Sequence, residues 1–497
     1  MRRGMAVLAV GLAATALTPA GAEEAPGLPN PQDPVVAALR QVCDLQWIDG
    51  VCEATGYAAP QYLTNTDPSP SSPLALRVGA VHEHSGYSDG DPDTRPSDYF
   101  AAARTGHNVA DAGGDTGVIV DFLLSSEHSE NEKLPITTAE ACIDPAGIPA
   151  ALAALDVEGI LPPLKCGNID RPSHHRKWDE TLAQAADATE MTGPAHTGFT
   201  GMRGFEYTND VWNHIGVYFS RNVVNAKIDG SYLLPELFYS WLREPAERGG
   251  GSDSLVVFNH PGGGPNLTPL DDGAVLAPLL KLLFKGNWND YAYVPDVDTR
   301  VAGMEVNGGD DLSWYVRALT NGWHIGPVAA EDEHQREWST SNDGKTLMLT
   351  RGRSPRDYYW ALQNHRTVAV GNDLIGGAPG TPATYPQVHF WADGATVNDP
   401  GAAPLGSQLV GADPRTLSFD ASGLIPGSTA VLVRRTGAPI PLGTAGPGGT
   451  ISASHPVSAP LTGEGFWFVV VCGPDSTSCG LDERHDVVTA PIWLRRA

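Results

Sequence analysis

Two histidines one residue apart, with a carboxylate five positions after the second, mark the stretch of this chain best equipped for chemistry. The run is Val81-His82-Glu83-His84-Ser85-Gly86-Tyr87-Ser88-Asp89-Gly90. On an extended strand, side chains at i and i+2 share a side, so both imidazoles can reach one metal ion. The spacing predicts a strand ending at Ser85, after which the Ser-Asp-Gly turn folds Asp89 back towards the same pocket. An isolated pair of this kind also fits a polar surface loop. The rest of the chain has to decide.

Further donors follow at the ends of strand-like runs. Val118-Ile119-Val120-Asp121-Phe122-Leu123-Leu124 leads through Ser125 and Ser126 to Glu127-His128. Phe199 to Phe205 leads to Glu206, with His214 eight residues on. Leu255-Val256-Val257-Phe258-Asn259 leads to His260, and Trp323 to Ala330 leads to Glu331-Asp332-Glu333-His334. In a parallel α/β barrel such strand ends converge on one face, where active sites sit. The set is six histidines (His82, His84, His128, His214, His260, His334) and three carboxylates (Asp89, Glu206, Asp332), with no thiolate. That chemistry suits Zn, Mn or Fe. Nine donors exceed the needs of one ion, so two or three divalent metals are implied.

The elements that must position these donors read as an α/β domain, because strand-like and helix-like segments alternate through the middle of the chain. With 497 residues there is room for two or three domains and a sizeable core. The amino end stands apart. Arg2 and Arg3, an apolar stretch from Met5 to Leu17 and Pro19-Ala20-Gly21-Ala22 make a secretory signal peptide, cut after Ala22. That stretch is too short to span a bilayer and no later segment has roughly 18 unbroken apolar residues, so a secreted or periplasmic soluble protein is expected. Residues 23–75 form a Pro/Ala/Ser-rich extension and linker, and Gly376 to Pro382 a second break. Beyond it, at 385–497, short alternating runs separated by Gly and Pro turns predict a small all-β sandwich.

Cysteines and charge bound the partners. Cys43 with Cys52, Cys142 with Cys166 and Cys472 with Cys479 are the simplest disulfide set for an oxidising compartment, and none has C-x-x-C metal spacing. The formal net charge of −26 repels nucleic acid and anionic membranes as main partners. It leaves room for a small ester, since metal ions can supply local positive charge.

The order H-x-H-S-x-x-S-D-G, a strand ending before Glu127-His128, Gly204-Phe205-Glu206, His214-Ile215, His260-Pro261 and Asp332-Glu333-His334 resembles the polymerase and histidinol phosphatase (PHP) superfamily. The likeness covers roughly residues 76–375. From Trp178 through Gly204-Phe205-Glu206-Tyr207-Thr208 the chain looks like a large exported branch that includes carbamate-ester hydrolases. The resemblance implies a distorted (β/α)7-type barrel, then the C-terminal β-sandwich. It also implies that His82, His84, Glu206 and Asp332 hold one metal. Glu206 would bridge to a second on His214 and His260, and Asp89, His128 and His334 would hold a third. The implied reaction is hydrolysis of a small-molecule ester by a metal-bridging hydroxide, with Glu206, Asp332 and His260 as the catalytic residues. Two departures are Glu127, where the family carries Asp, and Glu331, where it carries Ser. About 77 residues separate His128 from Glu206, a long insertion.

A phosphoester is the first choice of substrate and a carbamate or carboxylic ester the alternative. A third reading, of another class, is a metal-bound scaffold whose β-sandwich binds carbohydrate or a cell surface. Ser85 and Ser88 read as turn hydrogen-bonders rather than nucleophiles, and His174-His175-Arg176-Lys177 as a solvated helix entrance or an anion contact. Glu305 either orients a ligand histidine or is a buried hydrogen-bonding group, and His324 packs in the core or lines the pocket. Any of Arg351, Arg353 and Arg366 could meet a leaving group.

Overall fold

The computed structural model describes residues 69–107, 117–129, 177–189, 198–209, 212–224, 226–228, 231–232, 235–246, 250–262, 286–308, 310–340, 344–476, 479 and 485–497. The signal peptide, most of the 23–75 extension, Cys43, Cys52, Cys142, Cys166 and His174 to Arg176 lie outside them. Cys472 and Cys479 form a disulfide. Among the described residues, no helix is long and apolar enough to cross a membrane.

The fold is mixed α/β. Three strands, β1 (Ala75–Val81), β2 (Phe122–Leu124) and β3 (Thr200–Met202), pair in parallel. Next come β4 (Gly204–Tyr207), β5 (Ile215–Tyr218), a small hairpin of β6 (Lys227–Ile228) with β7 (Ser231–Tyr232), then β8 (Leu255–Phe258), β9 (Val301–Glu305) and β10 (Gly326–Val328). In the five-stranded sheet β10-β9-β8-β5-β4, β8, β9 and β10 run parallel, and β5 runs against both its neighbours. The two sheets are open, but single bridges link them on both sides. His128 bridges Glu206, and Glu83 bridges Glu333. Backbone bonds from Glu206 N to Glu127 O and from Glu331 N to Val81 O reinforce these joins.

Burial on both faces explains why β2, β5 and β8 are apolar along their whole length. Along β8, Leu255 and Val257 enter one core cluster while Val256 and Phe258 enter another. The first of these clusters also takes Val81, Phe122, Leu124, Met202, Tyr218, Ala302 and Val328, so both sheets feed one interior. Gly79 is needed at its register position beside Phe122, because a Cβ there would lie 2.3 Å from the Phe122 ring. Helix Pro355–Gln363 starts at a capping box, with Asp357 N donating to Ser354 Oγ and Ser354 N to Asp357 Oδ2, and with proline in its first turn. Its Tyr358, Tyr359, Ala361 and Leu362 pack into the same interior.

β11 (Lys345–Thr350) and β12 (Thr367–Val370) continue the β1 sheet antiparallel. The remaining strands are β13 (Gln387–Ala392), β14 (Ala403–Pro404), β15 (Gln408–Val410), β16 (Arg415–Ser422), β17 (Thr429–Arg434), β18 (Ile440–Thr444), β19 (Ile451–Val457), β20 (Glu464–Cys472), β21 (Val487–Thr489) and β22 (Ile492–Arg495). β14-β13-β16-β19 form one sheet. The others extend the central sheet, because β21 pairs with β12, which joins the C-terminal strands to β11 and β1 in one eleven-stranded sheet. The Gly376 to Pro382 break is also tied down, with Ile119 N donating to Thr381 O and Gly380 N to Gly117 O.

His324, read from the sequence as part of a strand, precedes β10 and joins distant segments. Its Nδ1 lies 2.6 Å from Asp298 and its Nε2 2.7 Å from Glu464. Burial opposes its protonation, but the two carboxylates outweigh burial and raise it from 6.5 to about 9. A raised folded-state value stabilises the protein fully below the unfolded value and loses that contribution as pH climbs through the folded one. Melting temperatures of wild type should therefore fall between pH 6.5 and 9 more steeply than those of His324→Gln. Parallel curves would rule the latch out.

Candidate metal centre

All nine sequence-nominated donors come together at the joined edge of the two sheets, by routes that differ from simple strand alternation. β1 ends at Val81 rather than Ser85, and His82 adopts a left-handed φ of 66°. The two rings converge, with centroids 5.1 Å apart, because of that kink and the Glu83–Glu333 bridge. Asp332 (φ 51°) and His260 (φ 25°) are also left-handed, as is Asn213 (φ 87°) just before His214. Such backbone costs of order 1–3 kcal/mol per non-glycine residue and persists only where the surroundings over-determine it. Glu206 lies within β4, and His214 precedes β5 rather than following a strand. Because β5 is antiparallel, its start sits beside the ends of its neighbours.

Glu206 is the hub. Its Oε1 lies 2.9 Å from His82 Nε2, 3.2 Å from His214 Nδ1 and 3.4 Å from His260 Nε2. Its Oε2 lies 3.8 Å from His84 Nε2 and 3.6 Å from His128 Nδ1. Asp332 Oδ1 is 3.3 Å from both His82 Nε2 and His84 Nε2. Asp89 Oδ1 is 3.1 Å from His128 Nε2 and 3.2 Å from His334 Nε2. Four donor groups result: His84, Asp89, His128 and His334; His82, His260 and Asp332; His82, His84 and Glu206; and Glu206, His214 and His260. His84 belongs to two of them, its Nε2 towards Glu206 and Asp332 and its Nδ1 3.6 Å from Asp89.

Within each group the donor atoms lie no more than 4.8 Å apart. Ligands about 2.1 Å from a common ion stand roughly 3–4.2 Å from one another, so these spacings are near those of a divalent site. The donors are imidazole and carboxylate only, and the buried Nε2 of His84 makes no hydrogen bond although Asp332 is close. Both features fit a metal. Burial pushes His84 down to about 4, with His334 adding to the effect, so it stays neutral as a ligand must. Burial also opposes the charge on Glu206, but His214 and His82 hold it well below the usual carboxylate range. Burial alone would lower His82, yet Asp332, Glu206 and Glu305 raise it well above 6.5. The negative field that draws a proton to His82 would equally draw a cation.

Partners behind the donors fix which ring nitrogen faces inward. Glu305, one of two roles left open by the sequence, accepts from His82 Nδ1 at 2.6 Å and from the His260 backbone N–H at 2.6 Å. His128 Nδ1 pairs with Thr208 Oγ1, leaving Nε2 towards Asp89. Asn259 donates from Nδ2 to Glu206 Oε1 at 2.7 Å and accepts from Gly216 N at 2.9 Å. Thr208, Asn213 and Asn259 went unnoticed in the sequence, where lone amides and hydroxyls carry no spacing signal.

The remaining candidates have other occupations. Ser85 Oγ and Ser88 Oγ each donate to Glu127 at 2.5 Å, and Ser85 N donates to it at 3.2 Å, so both serines hold the turn that carries Asp89. Glu331 pairs with buried Lys345 at 2.6 Å. Lys177 Nζ donates to Tyr87 O. Arg351 donates to Ser72 O, Arg353 pairs with Asp121 at 2.8 Å, and Arg366 lies over the Trp360 ring.

No family model and no curated protein matches the chain. Among solved structures it is similar to a two-domain protein containing a predicted PHP-like metal-dependent phosphoesterase from Bacteroides vulgatus. The identity is 14% and the TM-score 0.36, over 84% of this chain and 95% of that one. It is also similar to PsfC from Pseudomonas syringae, at 14% identity and TM-score 0.24, over 57% and 85%.

If Glu305 positions His82 and His260, Glu305→Gln should weaken metal retention about 10- to 100-fold in a chelator competition, with the circular dichroism spectrum unchanged. Unaltered retention would reduce Glu305 to a packing role.

Proposed function

We propose that the chain is an exported metal-dependent hydrolase of the PHP type. Phosphoesters of small molecules come first as substrates, and carbamate or carboxylic esters second. The observation that carries this reading is Glu206, 1% exposed and within 2.9–3.8 Å of five imidazoles drawn from two sheets. The order of the motifs along the sequence supports the family. A distorted seven-stranded barrel is supported by the interior shared by both sheets and by the bridges that join them. A C-terminal sandwich is supported by side chains of β13 and β16 entering one core cluster with those of β17 and β20.

When bound, two or three divalent ions (Zn, Mn or Fe) would supply Lewis acidity and lower the pKa of water towards neutrality, providing hydroxide for attack on the ester. This chain's residues do the rest. His82, His84, Glu206 and Asp332 form one donor set, His214 and His260 complete a second with Glu206, and Asp89, His128 and His334 make a third. Glu206 faces both sheets, and its two oxygens keep neighbouring sets in register. Glu305 and Asn259 orient His82, His260 and Glu206. Ser85 and Ser88, committed to Glu127, are not free to attack a substrate.

Purified protein should carry two to three transition-metal ions per chain by elemental analysis. It should hydrolyse p-nitrophenyl phosphate, its bis-ester or p-nitrophenyl acetate, and chelator should abolish the activity. One ion or fewer after reconstitution with Zn and Mn would sink the multinuclear centre. Glu206→Gln should cut turnover by at least about 10³-fold, roughly 4 kcal/mol, while Ser85→Ala costs less than about tenfold. The reverse outcome would replace hydroxide with a covalent serine route.

A further inference from the structure

A second site lies far along the chain from the metal donors. A pocket of about 600 Å³ opens where the ends of β17 and β19 meet the starts of β18 and β20. Its size falls within the roughly 300–1,000 Å³ of small-ligand sites. The lining is unlike the rest of this acidic protein, because Arg434, Arg435 and His455 all reach it. In a chain of net charge −26, three basic groups around one opening create a local region that can hold an anion.

Each basic residue is placed by a definite element. Arg434 ends β17 and stands directly opposite Trp467 on β20, so the two side chains share a face of the sheet. Arg435, the next residue, is anchored on backbone carbonyls at the rim, donating to Glu464 O at 2.8 Å and Thr320 O at 3.3 Å. His455 occupies an inward position of β19, whose burial alternates from Ile451 to Val457. Among the described residues no carboxylate pairs with Arg434, Arg435 or His455. The one acid in the lining, Glu464, already has its carboxylate engaged by His324 at 2.7 Å. The two guanidiniums and the imidazole therefore line the opening without a competing internal anion.

The remaining walls are flat and hydroxylated. Gly465 lets the chain pass beneath the indole of Trp467, since a Cβ there would lie 2.6 Å from that ring and 3.2 Å from Pro460. Pro456 and Pro460 add rigid apolar surface, and Ser458 and Thr462 add hydroxyls. Flat apolar faces and hydroxyls suit the faces and ring hydroxyls of a sugar. A guanidinium donates in a planar fork that matches a carboxylate.

We infer that this pocket binds an acidic saccharide, a sugar whose carboxylate is held by Arg434 and Arg435 with His455 alongside while its ring lies against the Pro456 and Pro460 surface beside the largely buried Trp467. The site is independent of the metal centre, and the inference does not rest on the hydrolase reading.

Calorimetric titration of the full chain, kept in chelator so that no metal takes up carboxylates, tests it. The probes are trigalacturonate, neutral galactotriose, inorganic phosphate and an oligoglutamate peptide. Trigalacturonate should bind saturably, with quenching of tryptophan fluorescence. Arg434→Gln should weaken it by about tenfold, the loss of one charge-assisted hydrogen-bonding group. His455→Gln should weaken it in the same direction, and galactotriose should bind far less well. Matching thermal melts of the variants would show that the fold is kept. Equal binding of the neutral sugar, indifference to Arg434→Gln, or silence of trigalacturonate up to about 10 mM, a Kd weaker than roughly −2.7 kcal/mol, would overturn the inference. So would phosphate or the peptide binding where trigalacturonate does not.

Discussion

A buried carboxylate costs several kcal/mol unless opposite charge and hydrogen bonds surround it. Glu206 meets that demand with imidazoles and, among the described residues, not with lysine or arginine. The imidazoles around it are those of His82, His84, His128, His214 and His260, and Asn259 adds a hydrogen bond. Much of the fold follows from this arrangement. The histidines belong to segments following β1, β2 and β8 and preceding β5, so the ends of the first three and the start of β5 must meet at one edge. Two open sheets meet there, through the His128–Glu206 bridge on one side and the Glu83–Glu333 bridge on the other.

Convergence has a backbone cost. His82, His260 and Asp332 occupy left-handed conformations that favour glycine, yet each position needs a donor side chain. Packing supplies the compensation. The interior beneath them is closed by Val81, Leu124, Met202, Val257 and Val328, and helix Pro355–Gln363 adds Tyr358 and Leu362. Glu305 then ties His82 and the His260 backbone together from behind.

The C-terminal strands belong to the same construction. β21 pairs with β12, and β20 carries Glu464 to His324, so sheet hydrogen bonds and a half-buried ion-pair latch join residues more than a hundred positions apart. The pocket between β17, β19 and β20 arises only where these strands meet.

The sequence by itself determined the donor inventory and the kind of chemistry it suits. Residue type and order are local facts, and nine imidazoles and carboxylates beside strand-like runs need no coordinates to be read. It also determined the all-β character of residues 385–497, because short alternating runs between Gly and Pro turns are local too. Tertiary structure decided how the donors meet. The end of β1 at Val81, the antiparallel sense of β5 that brings His214 to the others, and the pairing of β21 with β12 all depend on distant partners. The role of Asn259 was hidden, and that of Glu305 left between two readings, for the same reason, since a lone carboxylate or amide becomes a positioning group only when a remote strand puts a ligand histidine or Glu206 within hydrogen-bond reach.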